Sequence, residues 1–288
     1  MLAPIILFVY NRLDSTKKTV DALKNNLLAK ESDLIIYSDG VNYIEETEKS
    51  VETIRNYIKT ITGFKNIKII ERKYNHGLYM NITSGVKEVI QIYGKAIIVE
   101  DDIVTSKYFL TYMNDSLNYY KTNNKIYSVC GFQWNIKTES KVFGLNHFNC
   151  HGWATWEDRW DKFEHDNKYL YRAIIWKKLG KRFDLDGAYP FMKMLKNTNS
   201  WAIRWHSIIF LNNKLCVYSP HSLVKNIGDI GVNSKGYNLY PTKIVNKKVC
   251  LKPITEEDTT MRKRLIQYYR RLLPKRILNK ILRILKLK

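Results

Sequence analysis

An α/β domain on a mostly parallel sheet is the fold class this sequence predicts, and two observations predict it. Short apolar stretches at Ile5–Tyr10, Asp33–Tyr37, Asn66–Ile70 and Lys95–Val99 recur through the first hundred residues. Unbroken apolar runs of this length read as strands buried on both faces. Between them lie segments with apolar residues at helical spacing, so the order is strand, helix, strand, helix.

Each element follows in turn. Asp14-Ser15-Thr16 offers an N-cap for a helix over Ser15–Leu28, with Val20, Leu23 and Leu27 on one face. The second strand ends in Ser38-Asp39-Gly40, and Glu46–Thr60 forms the second helix through Val51, Ile54 and Ile58. After the third strand, Met80–Tyr93 carries Ile82, Val86, Val89 and Ile90 on one helical face. Ala96-Ile97-Ile98-Val99 is the fourth strand; a helix over Tyr108–Tyr120 and a strand over Ile126–Phe132 come next. The chain divides into residues 1–135, residues 136–255 of the same domain, and a basic tail over 256–288.

The texture changes after this first part. His151–Phe163 packs three tryptophans, and Trp176, Trp201 and Trp205 follow. That density reads as a second lobe able to stack on flat rings, with most of these indoles in an aromatic core. No run of about 18 apolar residues exists, so no transmembrane helix is expected. Met1-Leu2-Ala3-Pro4 passes straight into the first strand and reads as structure, not as a signal peptide. Cys130, Cys150, Cys216 and Cys250 form no C-x-x-C pair and read as reduced, cytosolic thiols. His147-Phe148-Asn149-Cys150-His151 holds soft-metal ligand types, but no second pair at zinc-like spacing joins it.

The net charge is +21, and Met261–Lys288 holds eleven Lys or Arg with no Asp or Glu. Beyond Pro274, Ile277, Leu278, Ile281, Leu282 and Leu285 form an apolar stripe with the bases mostly elsewhere on the wheel. Such a helix reads as lying on an anionic membrane surface, with docking on the protein's own core as the alternative. Nucleic acid is not expected, because aromatics are not interleaved with the bases.

The chemistry concentrates at Glu100-Asp101-Asp102, which follow the fourth apolar run. Unpaired carboxylates are too costly for a strand interior, so they belong at its tip. Ligands of open α/β sheets collect at the strands' carboxyl ends. A clustered negative site there suits a hard divalent cation that grips phosphate oxygens. Tyr10-Asn11-Arg12 and Ser38-Asp39-Gly40 close other strands at the same edge, and Asn75-His76-Gly77 lies between the third strand and its helix.

Together with Pro4–Arg12, His151-Gly152-Trp153, Ser200–Trp205 and Asn226-Ile227-Gly228, these motifs resemble the GT-A glycosyltransferases. More narrowly they resemble bacterial family 2-like enzymes with kinship to the N-acetylglucosaminyltransferase I group. The resemblance runs from about Pro4 to Ser234. It implies a Rossmann-like nucleotide-sugar-binding part over 1–135 and an acceptor-side part over 136–255. It also implies a nucleotide-diphosphate-sugar donor, UDP-sugar first, with Mn²⁺ or Mg²⁺ held by Asp102. Tyr10 and Arg12 then contact the nucleotide and Asp39 the base, Asn75 and Gly77 line the neighbouring turn, and Glu100 and Asp101 sit near the ribose and donor sugar. The expected reaction is an inverting transfer to a glycan or lipid-linked glycan at the cytoplasmic membrane face, in cell-surface polysaccharide synthesis such as O-antigen or capsule.

One departure stands out. The resemblance places an acidic base just before Ser200-Trp201, and this chain has Asn199, which cannot take a proton from an acceptor hydroxyl. Asp229 is the first substitute, then Asp158 and Asp186. Two other readings compete: a nucleotidyltransferase on a similar fold, which the absence of glycine from Leu7–Asp14 disfavours, and a non-catalytic basic membrane-binding protein with a decayed site.

Overall fold

A computed structural model describes residues 1–139, 141–228, 230–231, 234–235 and 242–284, with 45, 230–231, 234–235, 273 and 275–284 as backbone only. The first half is β1 (Ile5–Val9), α1 (Leu13–Lys24), β2 (Asp33–Ser38), α2 (Glu48–Ile58), β3 (Asn66–Glu71), α3 (Gly77–Tyr93) and β4 (Lys95–Glu100). Then come β5 (Ile103–Thr105), α4 (Phe109–Tyr119), β6 (Ile126–Cys130), β7 (Phe143–Leu145), β8 (Trp153–Trp156) and α5 (Glu157–Trp160). The last part is α6 (Asn167–Trp176), α7 (Gly180–Phe183), α8 (Phe191–Asn197), α9 (Trp201–Leu211), β9 (Leu215–Tyr218), β10 (Val224–Asn226) and α10 (Thr259–Ile284).

Eight strands form one sheet in the order β3-β2-β1-β4-β8-β6-β9-β7. β1 pairs in parallel with β2 and β4, and β2 with β3. β8 runs antiparallel to both β4 and β6, β9 is parallel to β6, and β7 is antiparallel to β9 at the far edge. The α/β class with a mostly parallel sheet is therefore observed, with two reversed strands that local apolar pattern does not reveal. Strands from both halves of the chain share this sheet.

The core confirms why these segments become strands. Ile5, Ile6 and Leu7 of β1 and Ala96, Ile97 and Ile98 of β4 are fully buried, as expected of central strands covered by helices on both faces. The cap expected at Asp14-Ser15-Thr16 is corrected. Helix α1 starts at Leu13 with Arg12 in the cap position, and the Thr16 and Ser15 hydroxyls donate back to the Arg12 carbonyl at 2.7 and 3.2 Å. Those residues form the first turn, where Asp14 complements the helix dipole.

Six of the seven tryptophans are no more than 3% exposed. Trp153 stacks on Trp201 with centroids 5.3 Å apart, and Trp205 and Trp156 donate their indole N–H to Ser128 Oγ (2.9 Å) and the Leu117 carbonyl (3.0 Å). Those six are core.

In the tail, α10 runs through Pro274 as one helix. Its first turns bury Met261, Leu265, Ile266 and Tyr269 against the domain. The stripe from Ile277 to Leu285 lies outside the described side chains. No described helix is long and apolar enough to cross a membrane.

Candidate functional site

The site is built where β4 ends. Arg12, just past β1, reaches its neighbour strand's acidic tip. Its guanidinium donates to both carboxylate oxygens of Asp101 and, at 3.1 Å, to Asp102 Oδ2. Asp101 is 3% exposed, and its carbonyl accepts the Thr19 hydroxyl at 3.0 Å. Burial pushes the Asp101 carboxyl up to about 6, with Arg12 opposing. Burial, then the charges of Asp102 and Asp101, push Glu100 up to about 8. The triplet is thus unequal: Asp101 is an internal clamp on Arg12, and Asp102 is the more open carboxylate.

Two later segments complete this edge. The antiparallel register of β4 and β8 pairs Ile98 with Trp153. That register leads the segment just before Trp153, Cys150-His151-Gly152, toward the acidic tip of β4. The charges agree: burial, then Glu100 and Asp102, push the Cys150 thiol up. Burial lowers the His151 pKa while Asp102 opposes it, so the imidazole is held neutral. His151 Nδ1 is buried with no hydrogen-bond partner among the described residues. Pairing of β10 with β5 brings the next segment in, and the Ile227 N–H donates to the Asp102 carbonyl at 2.8 Å. Gly228 follows so closely that a Cβ there would lie 2.4 Å from Asp102 Oδ2.

The neighbouring turns are locked together. Asp39 is buried, and its Oδ1 accepts the N–H groups of Gly40 (2.9 Å) and His76 (2.8 Å). Asn75 Nδ2 donates to the Gly40 carbonyl at 2.8 Å. A Cβ on Gly40 would stand 2.2 Å from the Tyr74 carbonyl carbon, so only glycine lets the two turns touch. Gly77 opens α3 at φ +67°, and the Tyr10 hydroxyl pairs with that of Thr47 at 2.9 Å.

The proposed acceptor bases fare differently. Trp156 pairs with Lys95, the opposite end of β4, so Asp158 lies beyond the opposite sheet edge, about 17 Å of strand away. There it binds Arg159 at 2.5 Å. Asp186 is paired with Arg262 at 3.3 Å. Asp229 lies outside the described residues. Asn199 Oδ1 accepts from Arg204 Nη2 at 3.2 Å, and the Arg204 guanidinium stacks over Tyr79, whose hydroxyl bonds His165 Nδ1 at 2.7 Å. This polar cluster packs on the first turn of α3 and was not foreseen from sequence. His151, which the sequence offered both in the His147–His151 cluster and in the His151-Gly152-Trp153 motif, lies within reach of the Asp102 charge. His147, four residues earlier, instead enters the aromatic core against His206, with centroids 4.4 Å apart.

No three His, Cys, Asp or Glu side chains converge on one point among the described residues. A protein-only metal cage is therefore absent there. Asp102 with the orphaned His151 Nδ1 nonetheless fits a divalent cation that takes its remaining ligands from phosphate and water, as Mg²⁺ and Mn²⁺ do.

No family model matches the chain, and no curated protein matches it. Among solved structures, the chain trace is similar to S. aureus TarS 1-349, at 11% identity and TM-score 0.47, covering 78% of this chain and 60% of that one. It is similar to a second S. aureus TarS structure at 11% identity and TM-score 0.43, covering 80% of this chain and 37% of that one. It is similar to mouse xyloside xylosyltransferase 1, apo form, at 9% identity and TM-score 0.40, covering 74% and 82%. This chain thus spans less than two thirds of either TarS structure.

Proposed function

We propose that this chain is a divalent-metal-dependent glycosyltransferase of GT-A type, binding a nucleotide-diphosphate-sugar at the carboxyl edge of β1–β4. The observation that carries it is the convergence of Arg12, Glu100-Asp101-Asp102 and His151 on one sheet edge, beside the locked turns of Asp39 and Asn75. Asp102 and His151 would hold Mn²⁺ or Mg²⁺. A bound cation supplies positive charge for the diphosphate leaving group. Arg12 keeps Asp101 ionised and fixed, and orients the Asp102 carboxylate through Oδ2. The Gly40–Asn75 contact fixes the floor on which a base would lie.

In an inverting transfer a carboxylate must accept the acceptor's proton, and Asp229 is the proposed base. Asp158 is remote and Asp186 is engaged by Arg262. The acceptor is proposed as a glycan or lipid-linked glycan, with the protein peripheral on the inner membrane face through its basic tail. Asn199, tied to Arg204, favours a second reading in which the fold retains donor binding and has lost transfer.

Titration calorimetry with UDP and GDP, with and without Mn²⁺, tests the site. Metal-dependent binding of one nucleotide, weakened about tenfold or more by Asp102→Asn, is expected. Nucleotide binding indifferent to both metal and Asp102→Asn overturns the assignment.

A further inference from the structure

Helix α6 is seated by Leu170 and Ile174, which are buried. Its opposite face is unusually apolar for a surface: Tyr169 is 59% exposed, Ile175 51% and Trp176 83%. Tyr169 and Trp176 are seven residues apart, two helical turns, with Arg172 between them on the same stripe. Trp176 is also the one tryptophan outside the core, since the other six are at most 3% exposed. An indole left in water next to a second large apolar side chain marks a contact surface.

The surrounding charge says what the contact is. From Asn167 to Arg182 the chain carries six Lys or Arg and no Asp or Glu. Nearby acids each have partners of their own. Asp166 caps α6 by accepting the Lys168 and Tyr169 N–H groups, and Asp184 accepts the Met192 N–H at 2.7 Å. Asp186 pairs with Arg262, and Glu257 pairs with Arg182 at 2.7 Å. Lys177, Lys178 and Lys181 follow Trp176 within five residues, and none of them forms an ion pair among the described residues. The patch is continuous with α10, whose Arg262 and Arg270 reach the Arg182 and Asp186 carbonyls. The most basic segment of the chain thus starts beside it.

We propose that the outer face of α6 and the turn into α7 form a lipid-contact surface. Ile175 and Trp176 enter the headgroup region of an anionic bilayer, and Lys177, Lys178 and Lys181 meet lipid phosphates. Indoles favour the membrane–water interface, and lysines flanking them reach headgroups by extending their stems. The face is the outside of a helix, not a groove with stacked aromatic platforms, which sets it apart from a single-strand nucleic-acid site. The proposal deepens the membrane reading above by adding a contact on the folded domain, separate from the stripe beyond Pro274.

The single exposed indole makes the test direct. The full chain is mixed with vesicles of phosphatidylcholine alone or with phosphatidylglycerol, and co-sedimentation and acrylamide quenching of tryptophan are both read. With anionic vesicles, a blue shift and a several-fold loss of acrylamide quenching are expected, absent with phosphatidylcholine. Trp176→Ala and the double variant Lys177→Glu, Lys178→Glu should each weaken sedimentation about tenfold or more with unchanged circular dichroism. Deleting 277–288 should leave the Trp176 shift in the fraction still bound. Sedimentation with Trp176 still fully quenchable overturns this surface and leaves the tail as the anchor. Absence of sedimentation overturns both, and protection of Trp176 by a single-stranded oligonucleotide but not by vesicles overturns the lipid assignment.

Discussion

Arg12 determines how many carboxylates at the β4 tip are open to a ligand. It holds Asp101 through both oxygens and Asp102 through one, across a sequence separation of about ninety residues. Arg12→Met leaves Asp101 buried without its counter-charge, so a loss of about 2–3 kcal/mol in urea unfolding is expected, less than for a fully buried pair because Arg12 is partly exposed. Gly228→Ala is the contrasting case. Its Cβ meets the end of the Asp102 side chain, which can rotate away, so stability should change by less than about 1 kcal/mol. Metal-dependent nucleotide affinity should nonetheless fall, because the displaced carboxylate is the proposed ligand. Calorimetry showing unchanged affinity in Gly228→Ala removes Asp102 from the site. The triplet was legible because three adjacent acids after an apolar run have few structural uses. Its pairing with Arg12 was not, since nothing local links residue 12 to residue 101.

At the scale of elements, what was legible depended on the range of the contacts that make each element. β1 to β4 and α1 to α3 are set by nearby apolar spacing, and the structure keeps them within about four residues of their expected ends. β8 is different. Its place between β4 and β6 is a pairing of residues roughly sixty and twenty-five positions apart, and its reversal carries His151 to the acidic edge while carrying Asp158 away from it. Turn contacts are equally non-local, and one can be tested. In Gly40→Ala the new Cβ meets backbone atoms of Tyr74 and Asn75, which cannot rotate away. The turns must part, breaking the Asn75–Gly40 and His76–Asp39 hydrogen bonds. A loss of about 2–4 kcal/mol is expected, from overpacking and two broken bonds. Amide exchange at His76 should rise in step. Wild-type protection at that amide in the variant contradicts the locked-turn account.

The whole molecule joins a parallel half to an aromatic half, and that second half encloses two neutral imidazoles. His147 and His206 meet edge to face, with Trp134 and Phe191 against His147 and Phe183 against His206. Tyr269 of α10 closes over His147. Burial pushes His206 down to about 3; burial, then His206 and Arg262, push His147 well below the usual imidazole range. Both are lowered in the folded state, so between pH 6.5 and 3 the unfolded chain binds protons that the folded chain refuses. Stability therefore holds above about pH 6.5 and is lost as pH falls below it, with about 2 kcal/mol gone at pH 5 from His206 alone. His206→Phe replaces the imidazole with a ring among Phe183, Phe191 and Phe210. The variant can lose about 1–3 kcal/mol to overpacking at every pH, but it has no proton to gain at this position. Urea unfolding followed from about pH 7.5 to pH 5 separates the two effects. The wild-type midpoint should fall more steeply than the variant's, and parallel curves would show that His206 titrates normally and that this core opens to water.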